Sequence, residues 1–159
     1  MANYYTKFSV AFSLPSKAAQ DYAIDLHQKI KAVQFNDPTD KKQQKTLPKD
    51  LRDEDFLFNF NFECEPDGSD TPGLWLHLDD GESCGVESAI TFIQHLLQKL
   101  IPKDQQDKWW VEMEWSNDCS KPRLDAFGGG VALISAQEVK SMSTSQWAWE
   151  QKLNTKNTQ

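Results

Sequence analysis

The chain is predicted to fold as an α+β two-layer sandwich of the ferredoxin-like split βαβ kind (βαββαβ), with an extra C-terminal strand and helix. Two kinds of periodicity predict this. Apolar residues recur at every second position in some stretches and at every third or fourth in others. Their order along the chain is strand, helix, strand, strand, helix, strand, followed by a hairpin partner and a last helix.

Phe8, Val10, Phe12 and Leu14 alternate with polar neighbours and mark the first strand, which Pro15 and Ser16 stop. Ala19, Tyr22, Ala23, Leu26, Ile30 and Val33 then fall at helical spacing, so Lys17 to Gln34 reads as an amphipathic helix with Ser16 as its N-cap. Asn36, Asp37 and Pro38 end it. Residues 36–50 are polar and rich in lysine, as a flexible surface loop would be. Phe56, Phe58, Phe60 and Phe62 alternate with Leu57, Asn59, Asn61 and Glu63, the pattern of a second strand with an aromatic face.

After a turn-rich connection, Leu74, Leu76 and Leu78 alternate with Trp75, His77 and Asp79 in a third strand. Val86, Ala89, Ile90, Ile93, Leu96, Leu97 and Leu100 trace a second helix, which Pro102 terminates. Trp109, Val111, Met113 and Trp115 give a fourth strand, and Val131 to Ile134 a fifth. Ser135 with Glu138 has the spacing of a capping box, predicting a helix that carries Val139, Met142, Trp147 and Trp149. The whole is expected to be one domain over residues 1–153, with a disordered tail at 154–159.

A chain of 159 residues is long enough to bury about two-thirds of its unfolded surface without a disulfide or metal. Cys64, Cys84 and Cys119 cannot all pair within one chain, and none has zinc-ligand spacing, so reduced thiols and no cofactor are expected. The stretch MANYYTKFSV lacks a charged head before a long apolar core, and no apolar run approaches bilayer length. The expectation is a soluble, cytoplasmic protein.

Negative charge is concentrated. Asp50 to Asp118 holds seventeen Asp and Glu against Arg52, Lys99, Lys103 and Lys108, whereas the remainder has thirteen basic residues against seven acidic ones. With a net charge of -7, such a field attracts basic partners and repels phosphates and anionic membranes. In a two-layer sandwich both main helices cover one sheet face. Tyr5, Lys7, Asn59, Asn61, Glu63, Trp75, His77, Trp110, Glu112 and Glu114 would then share the other, unless the last helix packs Trp147 and Trp149 over it. Trp75 and Tyr5 could imitate base-stacking aromatics, but the strand GLWLHLDD lacks an RNP pattern, and Glu112 and Glu114 would repel a nucleic acid backbone.

Other chemistry is weakly signalled. The acidic turns from Glu63 to Glu82 miss the calcium-loop spacing, so no metal is expected. Cys119 beside Lys121 and Arg123 offers an alternative loop site, with Lys121 and Arg123 as an anion-contacting pair or Cys119 as an activated thiol. The same loop has a structural explanation in the stiffness of Pro122 and the close approach permitted by Gly128, Gly129 and Gly130.

The segment Cys119-Ser-Lys-Pro-Arg123 followed by Phe127-Gly-Gly-Gly130 resembles one shared by small, uncharacterised bacterial and phage-associated proteins. The likeness runs from Trp109 to Ser135 and more weakly through Val86 to Leu100. It implies a prokaryotic or mobile-element origin and assigns no activity to any residue.

The leading expectation is a non-enzymatic acidic module that occupies the basic surface of a nucleic-acid-binding protein or nuclease, as anti-CRISPR, anti-restriction and immunity-type inhibitors do. Glu63, Glu65, Asp79, Asp80, Glu82, Glu112 and Glu114 would supply charge, with Trp75 and Trp110 as anchors. The competing expectations are a small enzyme or ligand-binding domain using the Cys119 to Gly130 loop, and a structural subunit that self-associates through its open sheet.

Overall fold

Strand β1, Tyr4–Ser13, buries Phe8 and Val10 and leaves Lys7, Ser9, Ala11 and Ser13 in solvent. Its period of two gives the sheet one dry and one wet side. A computed structural model describes residues 4–77, 84–121 and 127–156. Ser16 caps α1, Lys17–Asn36, its Oγ accepting from the Ala19 N–H at 3.2 Å. That helix buries Ala19, Ala23, Leu26, Ile30 and Val33 together with His27. The segment expected as an irregular polar loop contains a helical turn, α2 (Lys41–Gln44), and a 3₁₀ turn at Lys49–Leu51, with Leu47 and Leu51 buried.

The stretch of alternating phenylalanines is not a strand. Asp53 accepts from the Phe56 N–H at 3.1 Å, and Glu54 and Asp55 fill the first turn of α3, Glu54–Phe58. Carboxylates at a helix N-terminus meet its unsatisfied N–H groups and positive dipole end, which favours helix here over extension. Phe56 and Leu57 are consequently buried side by side, whereas Phe58 is 54% exposed. Asn59 and Asn61 leave the sheet with them: Asn59 donates to the Asp55 carbonyl at 2.7 Å, and Asn61 accepts from Gln34 at 3.0 Å.

Beyond α3, Phe60 and Phe62 keep their two-residue spacing and enter the core. Their ring centroids lie 4.4 Å apart, and that of Phe60 is 5.5 Å from Phe92 and 5.2 Å from His27. Each such buried ring contributes roughly 1.5–3 kcal/mol.

The second strand, β2, is Glu63–Pro66, and β3 is Gly73–His77. Helix α4, Val86–Leu100, starts at Gly85, where a Cβ would come within 1.9 Å of the Asn59 carbonyl oxygen. It stops before Pro102, as its sequence requires. Strands β4 (Val111–Cys119), β5 (Gly128–Ile134) and β6 (Val139–Ser143) precede α5, Thr144–Lys156.

Ser135 and Glu138 do not open a helix. The Ser135 N–H donates to the Glu138 carbonyl at 2.9 Å, and its Oγ accepts from the Gln137 and Glu138 N–H groups, closing the β5–β6 hairpin. The same hydroxyl that would cap a helix here holds a tight turn, because Val139 to Met142 gain a partner in β5.

The mixed α+β fold has a six-stranded sheet in the order β2-β3-β1-β4-β5-β6, every neighbouring pair antiparallel. Strand β1 serves two partners, pairing with β4 through Tyr4–Phe8 and with β3 through Ser9–Ser13. Phe8, Val10, Leu74, Leu76, Val111, Met113, Ala132 and Ile134 join the buried residues of α1 and α4 in one core. No helix among the described residues is long and apolar enough to cross a membrane.

Candidate interaction face

Cross-strand register determines which side chains share the sheet face opposite the core. Glu63 and Glu65 of β2 stand opposite His77 and Trp75 of β3, which stand opposite Ser9 and Ala11 of β1. On the other half, Lys7 faces Ser116, Glu112 faces Leu133 and then Lys140, and Glu114 faces Val131 and then Met142. The face thus carries carboxylates and indoles on either side of β1, which supplies Lys7, Ser9 and Ala11 between them.

The two central tryptophans are fixed and still accessible. The Trp75 indole N–H donates to Ser9 Oγ at 2.9 Å, and its ring stacks on His77 with centroids 3.9 Å apart. Trp110 donates to the Asp107 carbonyl at 3.3 Å. They remain 38% and 44% exposed. With the polar edge satisfied, each presents its apolar ring to solvent at little entropic cost. Helix α5 does not cover them: it packs against β5 and β6, its Trp147 and Trp149 are 56% and 62% exposed, and no ring contact joins either to Trp75 or Trp110 among the described residues.

The charge on this face is uneven. Glu63 is held by Lys31 of α1 at 2.9 Å, and Lys7 by Asp118 at 2.9 Å. Glu65 Oε2 lies 3.7 Å from His77 Nε2. Lys140 pairs with Glu138 at 3.0 Å and sits 5.6 Å above the Trp110 ring. Glu112 and Glu114 are exposed and pair with no cation among the described residues. The carboxylates of the described part of the face without a lysine or arginine partner are therefore Glu112 and Glu114 on β4 and, beside His77, Glu65 on β2. Asp79, Asp80 and Glu82 lie outside the described residues, as does Arg123 of the alternative loop site. Cys119 ends β4 half-buried, opposite Tyr4, and Lys121 is exposed.

A second acidic locus was not apparent in the sequence. A cleft of about 730 Å³ opens on the helix side, where α3 brings Asp53 and Asp55 beside Asp50, Asn59, Trp115 and Glu87 of the first turn of α4. Behind it, Asp50 Oδ2 lies 2.6 Å from His95 Nδ1, and His95 Nε2 lies 3.3 Å from the Tyr22 hydroxyl. This chain ties α1, α4 and the 3₁₀ turn together. Burial, reinforced by the Asp50 charge, raises the Tyr22 pKa above the ordinary tyrosine value and keeps the phenol protonated. Only the Asp53-Glu54-Asp55 helix start, set against the phenylalanine alternation, could have revealed the cleft.

Cys64 and Cys84 are poor nucleophiles. Burial, then the charges of Glu63 and Glu65, push Cys64 up to about 12, and burial raises Cys84 as well. Among the described residues, no three His, Cys, Asp or Glu side chains gather as metal ligands. No protein-family model matches the chain, and neither does any curated protein.

Proposed function

We propose that this chain is a non-enzymatic binding module whose uncovered sheet face occupies the basic, nucleic-acid-binding surface of a partner protein. The observation that carries this reading is the coexistence on one face of two accessible indoles, Trp75 and Trp110, with two carboxylates, Glu112 and Glu114, that lack a cation partner among the described residues. Carboxylates at such positions stand in for phosphates and speed encounter with a basic surface, while aromatic rings supply the desolvated contacts that keep the complex together.

The strand order β2-β3-β1-β4, with α1 and α4 as the connecting helices, supports a ferredoxin-like split βαβ core that β5, β6 and α5 extend. That architecture commonly leaves one sheet face free for a partner. A prokaryotic or mobile-element origin, which the resemblance of the Trp109 to Ser135 segment implies, would suit such an inhibitor without assigning it an activity.

The test is affinity capture from a bacterial host lysate at low salt, using the wild-type chain and a Glu112→Lys/Glu114→Lys double variant in parallel. A basic nucleic-acid-binding protein that the wild type retains, that salt releases and that the double variant fails to hold is the expected result. Equal retention by both chains would remove the electrostatic basis of the reading. If capture instead depends on Cys119, abolished by Cys119→Ala and indifferent to the charge reversal, the loop-based ligand site takes its place.

A further inference from the structure

A groove of about 400 Å³ lies where β4, β5 and β6 meet the start of α5, lined by Glu114, Val131, Met142 and Trp147, among others, with Gly128 to Gly130 as bare backbone. Its composition follows from register. Glu114 is the cross-strand neighbour of Val131, and Val131 of Met142, so a carboxylate and two apolar side chains lie in one row across three strands. Directly opposed side chains in antiparallel sheets are about 5 Å apart at Cβ. Trp147, in the first turn of α5, lines the same groove and is 56% exposed.

Gly130, beside the groove, lets the Trp115 ring and the β6 backbone pack closely against β5. A Cβ on Gly130 would fall 2.2 Å from the Trp115 ring and 2.6 Å from the Met142 carbonyl oxygen. No larger residue fits there without displacing the indole or the β6 backbone.

We propose that this groove is the anchor site for an arginine side chain of the basic partner, an inference that rests on the reading of the sheet face as a protein-binding surface. The chemistry of the row matches that side chain along its length. Val131 and Met142 suit an aliphatic stem, Glu114 suits the guanidinium it would neutralise, and an indole accepts the flat cation on its ring face. Charge complementarity specifies the occupant. Glu114 has no cation among the described residues, and an apolar residue in the groove would cover that carboxylate without compensating it. Arginine is favoured over lysine because a guanidinium can stack on the indole and still donate to the carboxylate.

The probe is an acetylated, amidated hexaarginine peptide titrated into the full chain near physiological ionic strength and followed by amide and indole NMR. Shifts should centre on Gly129, Gly130, Val131 and the Trp147 indole. Glu114→Gln and Trp147→Ala should each weaken binding about tenfold, hexalysine should bind several-fold more weakly, and Phe35→Ala, at an exposed position on α1 away from the groove, should change little. Both mutated side chains are exposed, and an unchanged circular dichroism spectrum serves as the folding control.

Shifts confined to the Glu65–Trp75 edge or to the helix-side cleft, or an affinity indifferent to Glu114→Gln and Trp147→Ala, would overturn the assignment. With shifts at the Glu65–Trp75 edge, the wider reading of the face survives. Absence of binding to any part of the chain would overturn both.

Discussion

On the helix-covered side of the sheet, Phe8, Leu74, Leu76 and Met113 lie in a core with Phe60, Phe62 and Phe92, while one residue along the same strands Lys7, Trp75, Glu112 and Glu114 meet solvent. The backbones are shared, so only side-chain chemistry separates the two regions. Buried rings on one side hold the fold together, and fixed, accessible rings on the other are available to a partner. Stability and recognition should therefore be separable by mutation.

The largest expected effect breaks the covered side. Phe60→Ala should destabilise the protein by about 3–5 kcal/mol in urea unfolding, because it leaves a cavity among packed rings. Trp75→Ala, across the sheet, should cost less than about 1 kcal/mol. Similar costs for the two would deny that the sides differ in role.

Gly130→Ala comes next, at roughly 1–3 kcal/mol, since the new methyl meets the Trp115 ring and the Met142 carbonyl and the neighbours must shift. An unchanged urea midpoint would mean that the indole does not lie against this glycine.

His27 sharpens the comparison through pH. Its Nε2 lies 2.9 Å from the Phe62 carbonyl oxygen among aromatic rings, and burial lowers its pKa below the usual 6.5 despite the raising effect of that hydrogen bond. A histidine held neutral in the folded chain takes up its proton more readily once unfolded. Stability is thus intact above pH 6.5 and is lost as pH falls toward the lower folded value, by at most about 1.4 kcal/mol per pH unit. Urea titrations at several pH values should show this slope in the wild type and its loss in His27→Gln. An identical slope in both would assign the acid sensitivity to other groups.

The smallest effect belongs to the exposed Lys7–Asp118 pair, where Lys7→Ala should change stability by less than about 1 kcal/mol. Thermal unfolding at low and high salt would measure it.

The wet side was easier to anticipate than the segment leading into β2. Glu112 and Glu114 were legible because Val111 and Met113 alternate with them, and a strand with one buried face must expose the other residues. Helices α1 and α4 were legible for the same kind of reason, with Ser16 and Pro102 marking a start and a stop. Phe56 to Phe62 misled because alternation does not distinguish a strand from a short helix followed by two inward-pointing rings. The decisive signal was the Asp53 cap.

Ser135 and Glu138 fit two local structures equally well, and only pairing with β5 selected the hairpin. The neutralisation of Glu63 by Lys31 could not be read from spacing, because a crossover helix brings the lysine to the sheet edge. The position of Trp147 in the groove likewise depends on where β6 ends and α5 begins.

The most direct measurement is the association rate between the chain and the basic protein it captures, followed across a range of salt concentrations by stopped-flow tryptophan fluorescence. If the β4 carboxylates guide docking, the wild-type rate falls steeply with salt, and Glu112→Lys/Glu114→Lys lowers it by about tenfold or more at low salt while flattening that dependence. Identical rates and salt dependence for the two chains would contradict the account.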